Sequence, residues 1–279
     1  MRKGQFFMNN RPIGIFDSGL GGLSAVKELL DILPNENIVY FGDTGRVPYG
    51  TKSKSTILKY ARQDENFLLE NDVKMVIAAC GTVSSVAFDT GKDLGVPFLG
   101  VVEPASRQAV SATKNKKIGV IGTATTVSSG SYKKAIQRID KDIKVYAKAC
   151  SMFVSLVEEG WVDENDEITI KTAERYLKPL KDEGVDVLIL GCTHFPLISA
   201  IIGKVMGENV TLISSGGACA KEAAAYLKDN NMLNQSEEES TRKFFVSDTP
   251  DSFLKTAKLF LNTDKDLHAK QIRIEDYGK

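Results

Sequence analysis

The chain has 279 residues, 42% of them apolar, which suffices for one large domain or two modest ones. Its 36 basic and 36 acidic residues give a formal net charge of zero, which argues against a nucleic-acid-binding protein with its usual basic excess. No apolar run approaches the roughly 20 residues of a membrane span. Residues 1–10 lack the apolar stretch of a signal peptide, so the sequence predicts a cytoplasmic protein, whether it starts at Met1 or Met8.

Short apolar runs alternate with amphipathic stretches along most of the chain, a pattern typical of a parallel α/β sheet. Apolar residues spaced three and four apart, from Leu20 to Leu33, predict a first helix that ends before Pro34. Pro250 opens a last helix, and the acidic run 237–239 predicts a solvated loop. The candidate strands are 12–16, 37–41, 74–79, 96–101, 117–121, 143–148, 185–190, 209–213 and 243–246.

The two halves of the chain resemble each other. Residues 12–24 and 117–130 both consist of a strand, a hydroxyl-bearing turn, small residues and the start of a helix. Residues 73–82 and 185–194 both run from a buried strand into small residues, a cysteine and a threonine. Chance similarity between βα units is the alternative, but the matched cysteines favour a true repeat. The sequence therefore predicts two similar α/β halves, each with a cysteine in an equivalent place.

The cysteines are Cys80, Cys150, Cys192 and Cys219, and no CxxC pair occurs, which disfavours a structural zinc site and a disulfide oxidoreductase. Cys80 and Cys192 directly follow strands, at the edge where open α/β sheets bind ligands. A helix that begins there favours an anion, so we expect the thiol pKa values to fall from about 8.5 toward working pH. Cys150 and Cys219 are interpreted as small core residues.

Two matched thiols indicate acid–base chemistry on two sides of one carbon. One thiolate takes a proton and the other thiol delivers a proton to the far side, so the stereocentre inverts. A hydrolase that uses Cys192 and His194 is an alternative, but it leaves Cys80 without a role. A binding module without catalysis also stays open. Nucleotide binding is a minor alternative, because the glycines match neither G-x-G-x-x-G nor the P-loop pattern.

The pair Asp17-Ser18 ends an apolar strand and is followed by Gly19, Gly21 and Gly22. Asp17 is suited to bind a substrate ammonium, and Ser18 to bind a carboxylate or orient a thiol. The glycines allow backbone N–H groups and a helix start to approach an anion closely. This turn therefore favours a free amino acid as substrate. Helix capping is the alternative role of Asp17.

Segments in order along nearly the whole chain resemble the glutamate racemase family. They are IGIFDSGLGGLS at 13–24, YFGDTGRVPYGTKS at 40–53, VIAACGTVSS at 76–85, IGVIGTATTVSSGSY at 118–132, FVSLVEEGW at 153–161 and LILGCTHFPLI at 188–198. The resemblance implies two pseudo-symmetric parallel-sheet α/β domains, with the active site in the cleft between them. It assigns residues 1–99 and 211–279 to the first domain and 100–210 to the second.

The resemblance implies a racemase without cofactor or metal that interconverts L- and D-glutamate, forms a homodimer and supplies D-glutamate for peptidoglycan. Cys80 would take the proton from the D isomer and Cys192 from the L isomer, assisted by Asp17, His194 and Glu158. A racemase for aspartate or other acidic amino acids is the nearest alternative, and pyridoxal phosphate dependence is disfavoured. The implied substrate contacts are Asp17, Ser18, Tyr49, Gly50, Gly81, Thr82, Thr125, Thr193 and His194.

The chain departs from the family pattern at a few positions. Gly81 stands where many members have asparagine, which removes a side-chain contact with the substrate and leaves the backbone N–H. Ser151 and Phe195 replace a common proline and a common tyrosine. Tyr49 has an alternative role as a turn residue packing on its neighbours, and Glu158 as an exposed helix residue.

Overall fold

The computed structural model describes residues 10–278, and the alternative starts at Met1 and Met8 lie outside that range. Within it, no helix combines the length and apolarity needed to cross a membrane. Parallel strands in the same range form two sheets with helices between successive strands. The strands are β1 (Ile13–Asp17), β2 (Ile38–Gly42), β3 (Met75–Ala78), β4 (Phe98–Gly100), β5 (Lys117–Gly122), β6 (Lys144–Ala149), β7 (Val187–Leu190), β8 (Thr211–Ser214), β9 (Arg242–Val246) and β10 (Ala269–Gln271).

The helices bury their apolar sides. The first helix buries Leu23, Val26 and Leu29 and ends at Ile32, just before Pro34, as the apolar spacing predicts. The helices are α1 (Leu23–Ile32), α2 (Lys54–Glu70), α3 (Gly81–Val86), α4 (Val102–Ala112), α5 (Ala124–Ser129), α6 (Ser131–Ile139), α7 (Met152–Glu158), α8 (Glu167–Asp182), α9 (Ser199–Met206), α10 (Ser215–Asp229) and α11 (Pro250–Leu261). Short 3₁₀ helices lie at Thr44–Arg46, Tyr49–Thr51, Phe88–Asp93, Phe195–Ile198 and Ile274–Tyr277.

The strand order of the smaller sheet repeats that of four strands in the larger one, which confirms the predicted α/β class with two similar halves. The six-stranded sheet runs β10-β9-β2-β1-β3-β4, and the four-stranded sheet runs β6-β5-β7-β8. β1 and β5 therefore occupy equivalent places, and so do β3 and β7, the strands that precede Cys80 and Cys192. The repeat seen in the sequence corresponds to this symmetry.

The predicted domain boundary at 210/211 is wrong by one strand. Residues 211–214 form β8, which pairs with β7 in the four-stranded sheet, with Thr211 opposite Val187. The chain rejoins the first sheet only at β9, which pairs with β2. β8 is the edge strand next to β7 in the second sheet, as β4 is the edge strand next to β3 in the first. The repeat therefore places β8 in the second sheet. The rest of the division stays a prediction: residues 1–99 and the carboxyl-terminal segment form the first domain, and residues 100–210 belong to the second.

The other strand predictions agree closely with the structure. Every predicted strand is present, and its ends differ by at most two residues. The sequence reading misses β10, a strand of three residues at the edge of the first sheet. Ala269, Lys270 and Gln271 are exposed or half-buried and mostly polar, so neither an apolar run nor an alternation marks them.

Buried apolar residues of both halves form one continuous cluster. Ile15 and Leu29 contribute from the first half, and Leu188 and Ile201 contribute from the second. Burial of such a side chain contributes roughly 1.5–3 kcal/mol. Helix α10 packs against both α1 and α4, so it connects the two halves through side-chain contacts as well as through the chain.

Glu65 of α2 is a buried carboxyl group beside Thr90. The Thr90 hydroxyl lies within hydrogen-bond distance of Glu65 Oε1 and 2.7 Å from the carbonyl oxygen of Ala87. A hydroxyl has one hydrogen, so both contacts are satisfied together only when Glu65 carries a proton. Burial raises the pKa of Glu65 to about 7, although Thr90 and Arg62 act in the opposite direction.

We expect Glu65→Gln to stabilise the protein more at pH 8 than at pH 5. The pKa in the folded chain lies above the ordinary 4.5, so the folded chain binds more protons between these two values, and stability falls as pH rises through that window. The gain in free energy of unfolding should be larger at pH 8 by about 1–3 kcal/mol. Urea denaturation at both pH values measures it, with the exposed Glu70→Gln on the same helix as control. Equal gains at both pH values would contradict this assignment.

Candidate active site

A cavity of about 320 Å³ lies between the carboxyl ends of the two sheets. This volume is at the low end of the roughly 300–1,000 Å³ usual for small-molecule sites. The segments after β1, β2 and β3 line it from one side, and those after β5, β6 and β7 from the other. The lining residues are Ser18, Gly19, Leu20, Val47, Pro48, Tyr49, Gly50, Thr51, Cys80, Gly81, Thr82, Thr123, Ala124, Ser151, Val154, Ser155, Glu158, Gly191, Cys192, Thr193 and His194.

The structure brings both predicted thiols to this one cavity. Cys80 lies at the start of α3 and Cys192 lies just after β7, and their exposed fractions are 5% and 7%. Cys80 Sγ donates to Ser18 Oγ at 3.4 Å, so the predicted contact between that serine and a thiol is present. Because the two cysteines come from different sheets, a small molecule in the cavity meets a sulfur from each half of the protein.

The expected drop in thiol pKa does not occur at Cys80. Burial raises the pKa of Cys80 to about 12, and the charge of Asp17 acts in the same direction. The hydrogen bond with the Ser18 side chain, and those from the N–H groups of Val83, in the first turn of α3, and of Ser18, lower the pKa but are outweighed. The prediction from the helix start is therefore wrong for Cys80, because burial costs more than that helix terminus returns. Cys80 is a neutral thiol at neutral pH.

Cys192 has a different environment, made by His194 and Glu158. His194 Nδ1 lies 3.8 Å from Cys192 Sγ, and His194 Nε2 lies 3.0 Å from Glu158 Oε1. Burial lowers the pKa of His194, but Cys192 and Glu158 outweigh it and raise the pKa to about 10. The edge-on contact with Phe260, at 5.5 Å between ring centroids, further restricts the imidazole. An imidazolium beside Cys192 is placed to stabilise a thiolate on that sulfur.

Asp17 lies behind the cavity rather than on its wall. It is buried, its Oδ2 accepts a hydrogen bond from the Gly19 N–H at 2.9 Å, and its Oδ1 has no hydrogen-bond partner. Burial raises the pKa of Asp17, while His194 and the N–H groups of Gly19 and Gly22 act in the opposite direction. Its carboxylate therefore acts on His194 and, as noted above, on Cys80. Asp17 is thus electrostatically coupled to both Cys80 and His194.

Most of the predicted contact residues line the cavity. Ser18, Gly50, Gly81, Thr82 and Thr193 line the cavity, as expected of substrate contacts. Tyr49 lines it too, but its hydroxyl points away, toward buried carboxylates outside the cavity. Thr125 is not among the described lining residues, and its hydroxyl donates to the Gly50 carbonyl oxygen at 2.6 Å. Thr125 thus holds the segment that lines the cavity.

A charged cluster anchors the segment that carries Tyr49, and the sequence reading missed its role. Arg46 donates to Asp43 at 2.6 Å and to Asp64 at 3.1 Å, and its guanidinium stacks 4.0 Å from the Tyr60 ring centroid. The Tyr49 hydroxyl donates to Asp43 as well. The spacing of three between Asp43 and Arg46 was a local signal for this pair, whereas Asp64 comes from α2 and is not visible in local sequence.

Comparison with known proteins shows the family to which this sequence and fold belong. The sequence model of the Asp/Glu/Hydantoin racemase family matches residues 45–223, a range that contains both Cys80 and Cys192. Glutamate racemase from Neisseria meningitidis is 46% identical over 90% of this chain and 93% of its own length. Glutamate racemase from Geobacter metallireducens is 43% identical over the same shares of both chains. This chain belongs to the glutamate racemase family.

A solved structure of the same family agrees over the whole architecture. Glutamate racemase from Francisella tularensis, determined in complex with D-glutamate, has a TM-score of 0.89 and 38% sequence identity. The alignment covers 96% of this chain and 100% of that one. The chain is therefore an amino-acid racemase, an isomerase. Within residues 10–278, no group of three or more His, Cys, Asp or Glu side chains is arranged to hold a metal ion.

We expect Glu158→Gln to move the alkaline limb of the pH profile for racemisation to lower pH. The raised pKa of His194 depends partly on Glu158, so without this carboxylate the imidazolium loses its proton at lower pH. Activity at pH 9 should fall roughly 3- to 10-fold relative to the profile maximum. Measuring kcat/KM from pH 6 to 10 checks this, with the neighbouring exposed Glu159→Gln as control. An alkaline limb that does not move would show that Glu158 has no influence on His194.

Proposed function

We propose that the chain interconverts L- and D-glutamate without a cofactor, with Cys80 and Cys192 as the two acid–base groups. The observation that carries this proposal is that one small cavity is lined by one cysteine from each sheet. A two-base racemase requires groups on opposite faces of one carbon, and two pseudo-symmetric halves supply such a pair directly. The relatives named above, and the D-glutamate in the Francisella structure, support glutamate as the substrate.

The different environments of the thiols suggest how the reaction starts from L-glutamate. Cys192, as thiolate beside the His194 imidazolium, takes the α-proton, and the electron pair of the broken C–H bond stays on the carbon. Cys80, kept neutral by burial, donates its S–H proton to the opposite face. The cycle leaves a thiol on Cys192 and a thiolate on Cys80, so D-glutamate is racemised by the reverse sequence. The assignment of the L isomer to Cys192 is proposed from the family resemblance.

Recognition of the amino acid is proposed to use hydroxyls, backbone N–H groups and one carboxylate. The described lining residues include no lysine or arginine, so the substrate carboxylates would be bound by groups such as Ser18, Thr82 and Thr193. The unpartnered Oδ1 of Asp17, behind the wall of the cavity, is proposed to attract the substrate ammonium through its charge rather than by direct contact. A bound ammonium would also compensate the negative charge that raises the pKa of Cys80.

The biological setting is proposed from the family resemblance. We infer that the enzyme works in the cytoplasm as a homodimer and supplies D-glutamate for peptidoglycan. None of these statements affects the proposed reaction. If the enzyme proved to be a monomer, the proposed homodimer would be wrong, but the proposed active site would be unchanged.

We expect Cys80→Ser and Cys192→Ser each to lower racemisation of glutamate by at least about 10²-fold, because each removes one of the two proton-transfer groups. Circular dichroism follows optical rotation from either enantiomer. Cys219→Ala, a buried cysteine outside the cavity, is the control and should retain turnover. Full racemisation by either serine variant would reject the two-base scheme, and a preference for aspartate over glutamate would overturn the choice of substrate.

The contact between Cys192 and His194 also favours a second candidate, a thiol hydrolase. Incubation with acyl esters followed by mass spectrometry distinguishes the two. An acyl group trapped on Cys192, with Cys80→Ser fully active, would establish the hydrolase. The racemase proposal predicts no acyl-enzyme.

A further inference from the structure

Two buried aspartates, Asp43 after β2 and Asp64 of α2, share one arginine and one tyrosine. Both aspartate side chains are fully buried, and Arg46 donates to Asp43 at 2.6 Å and to Asp64 at 3.1 Å. The Tyr49 hydroxyl lies between the two carboxyl groups. It is within hydrogen-bond distance of Asp43 Oδ2, and it lies 3.2 Å from Asp64 Oδ2. These four residues are called the aspartate cluster below.

The donors around Asp43 favour its ionised form. Asp43 Oδ2 accepts hydrogen bonds from Arg46 Nε and from the Tyr49 hydroxyl. Asp43 Oδ1 accepts a third hydrogen bond from Ser247 Oγ at 2.7 Å. An ionised carboxylate is an acceptor without a hydrogen of its own, so it suits a position that three donors approach.

The contact between Tyr49 and Asp64 requires a hydrogen from Asp64. Tyr49 has one hydroxyl hydrogen, and its closer contact, with Asp43, uses that hydrogen. Asp64 Oδ2 therefore faces a lone pair of the tyrosine oxygen, which attracts it only if Asp64 carries a proton. With that proton in place, Asp64 donates to Tyr49, and Tyr49 donates to Asp43.

The charges of the aspartate cluster lead to the same assignment. Two ionised aspartates beside one guanidinium would leave a net negative charge buried in the protein, which is costly. One proton on Asp64 makes the cluster neutral. Burial raises the pKa of Asp64 well above its ordinary value of 3.8, and Asp43 acts in the same direction, while Arg46 acts in the opposite direction.

The aspartate cluster holds one wall of the cavity. Residues 47–51 line the cavity, and Tyr49 ties this segment to α2 through its hydroxyl. On the other side, the Gly50 carbonyl oxygen accepts a hydrogen bond from Thr125 at 2.6 Å. The segment carries neither of the two thiols. Loosening it would weaken the binding of the substrate and of the transition state alike, which raises KM and leaves kcat nearly unchanged.

We propose that Asp64 is a positioning residue that acts as a neutral carboxyl group and donates a hydrogen bond to Tyr49, which fixes the cavity wall of residues 47–51. This inference rests on the proposed racemisation of glutamate. Asparagine has nearly the shape of a neutral aspartic acid, and its amide can donate to Tyr49 and accept from Arg46. Alanine can do neither, so the two substitutions at position 64 separate the hydrogen bond from the charge.

The test measures KM and kcat for glutamate racemisation by circular dichroism. We expect Asp64→Ala to raise KM roughly tenfold, with kcat within about threefold of wild type, because the Tyr49 oxygen loses its donor. Asp64→Asn should keep KM within about twofold of wild type, since the amide replaces that donor.

The same change at the other aspartate should have the opposite effect. Asp43→Asn places an amide N–H₂ where donors approach, so we expect it to raise KM by at least about tenfold. The exposed Asp229→Asn in α10 is the control for this type of substitution and should behave as wild type.

Each result decides the proposal. An Asp64→Asn enzyme with KM raised as far as in Asp64→Ala would overturn it, since the charge rather than the hydrogen would then matter. An Asp64→Ala enzyme with unchanged KM, or with a fall in kcat alone, would overturn it as well. If Asp64→Ala does not fold, Tyr49→Phe replaces it as the test of the hydrogen bond, and an unchanged KM there would overturn the proposal. Absence of racemisation in wild type would instead reject the proposed function.

Discussion

The meeting of two parallel sheets at their carboxyl ends is the constraint on which this site depends. A single α/β sheet offers one edge and one set of loops, so it can present a reactive group to one side of a small ligand. Two sheets with the same strand order supply equivalent groups from two sides. Cys80 after β3 and Cys192 after β7 are such a pair, and the continuous core between the halves keeps the two edges facing each other.

Symmetry of the backbone is combined with asymmetry of the charges. Cys80 lies near a buried carboxylate and is held as a neutral thiol, whereas Cys192 lies beside a histidine that retains its proton. The two halves therefore differ in the surroundings of their cysteines, so Cys80 and Cys192 are not interchangeable as acid and base. The histidine owes this state partly to Glu158 on α7, a residue of the second half alone. This difference in charge surroundings is what the proposed assignment of an acid and a base depends on.

Local patterns in the sequence predicted much of this structure. The alternation of apolar runs predicted the strands, and the matched cysteines predicted that Cys80 and Cys192 occupy equivalent turns. Properties that depend on distant neighbours were not predictable in this way. Helix position favoured an acidic thiol at Cys80, but its pKa is set by burial among residues far along the chain. The direction of the Tyr49 hydroxyl depends on Asp64 in another element.

The central claim is that the α-carbon of the substrate lies between the sulfurs of Cys80 and Cys192. Each sulfur exchanges a proton with its own face of that carbon, and no proton passes from one sulfur to the other. The most direct measurement follows L-glutamate in deuterated water during the first few per cent of conversion by the wild-type enzyme. The account predicts that the new D-glutamate carries solvent deuterium at the α-carbon while the remaining L-glutamate stays almost unlabelled. Equal labelling of both enantiomers from the start would mean that one group serves both faces, and it would contradict the account.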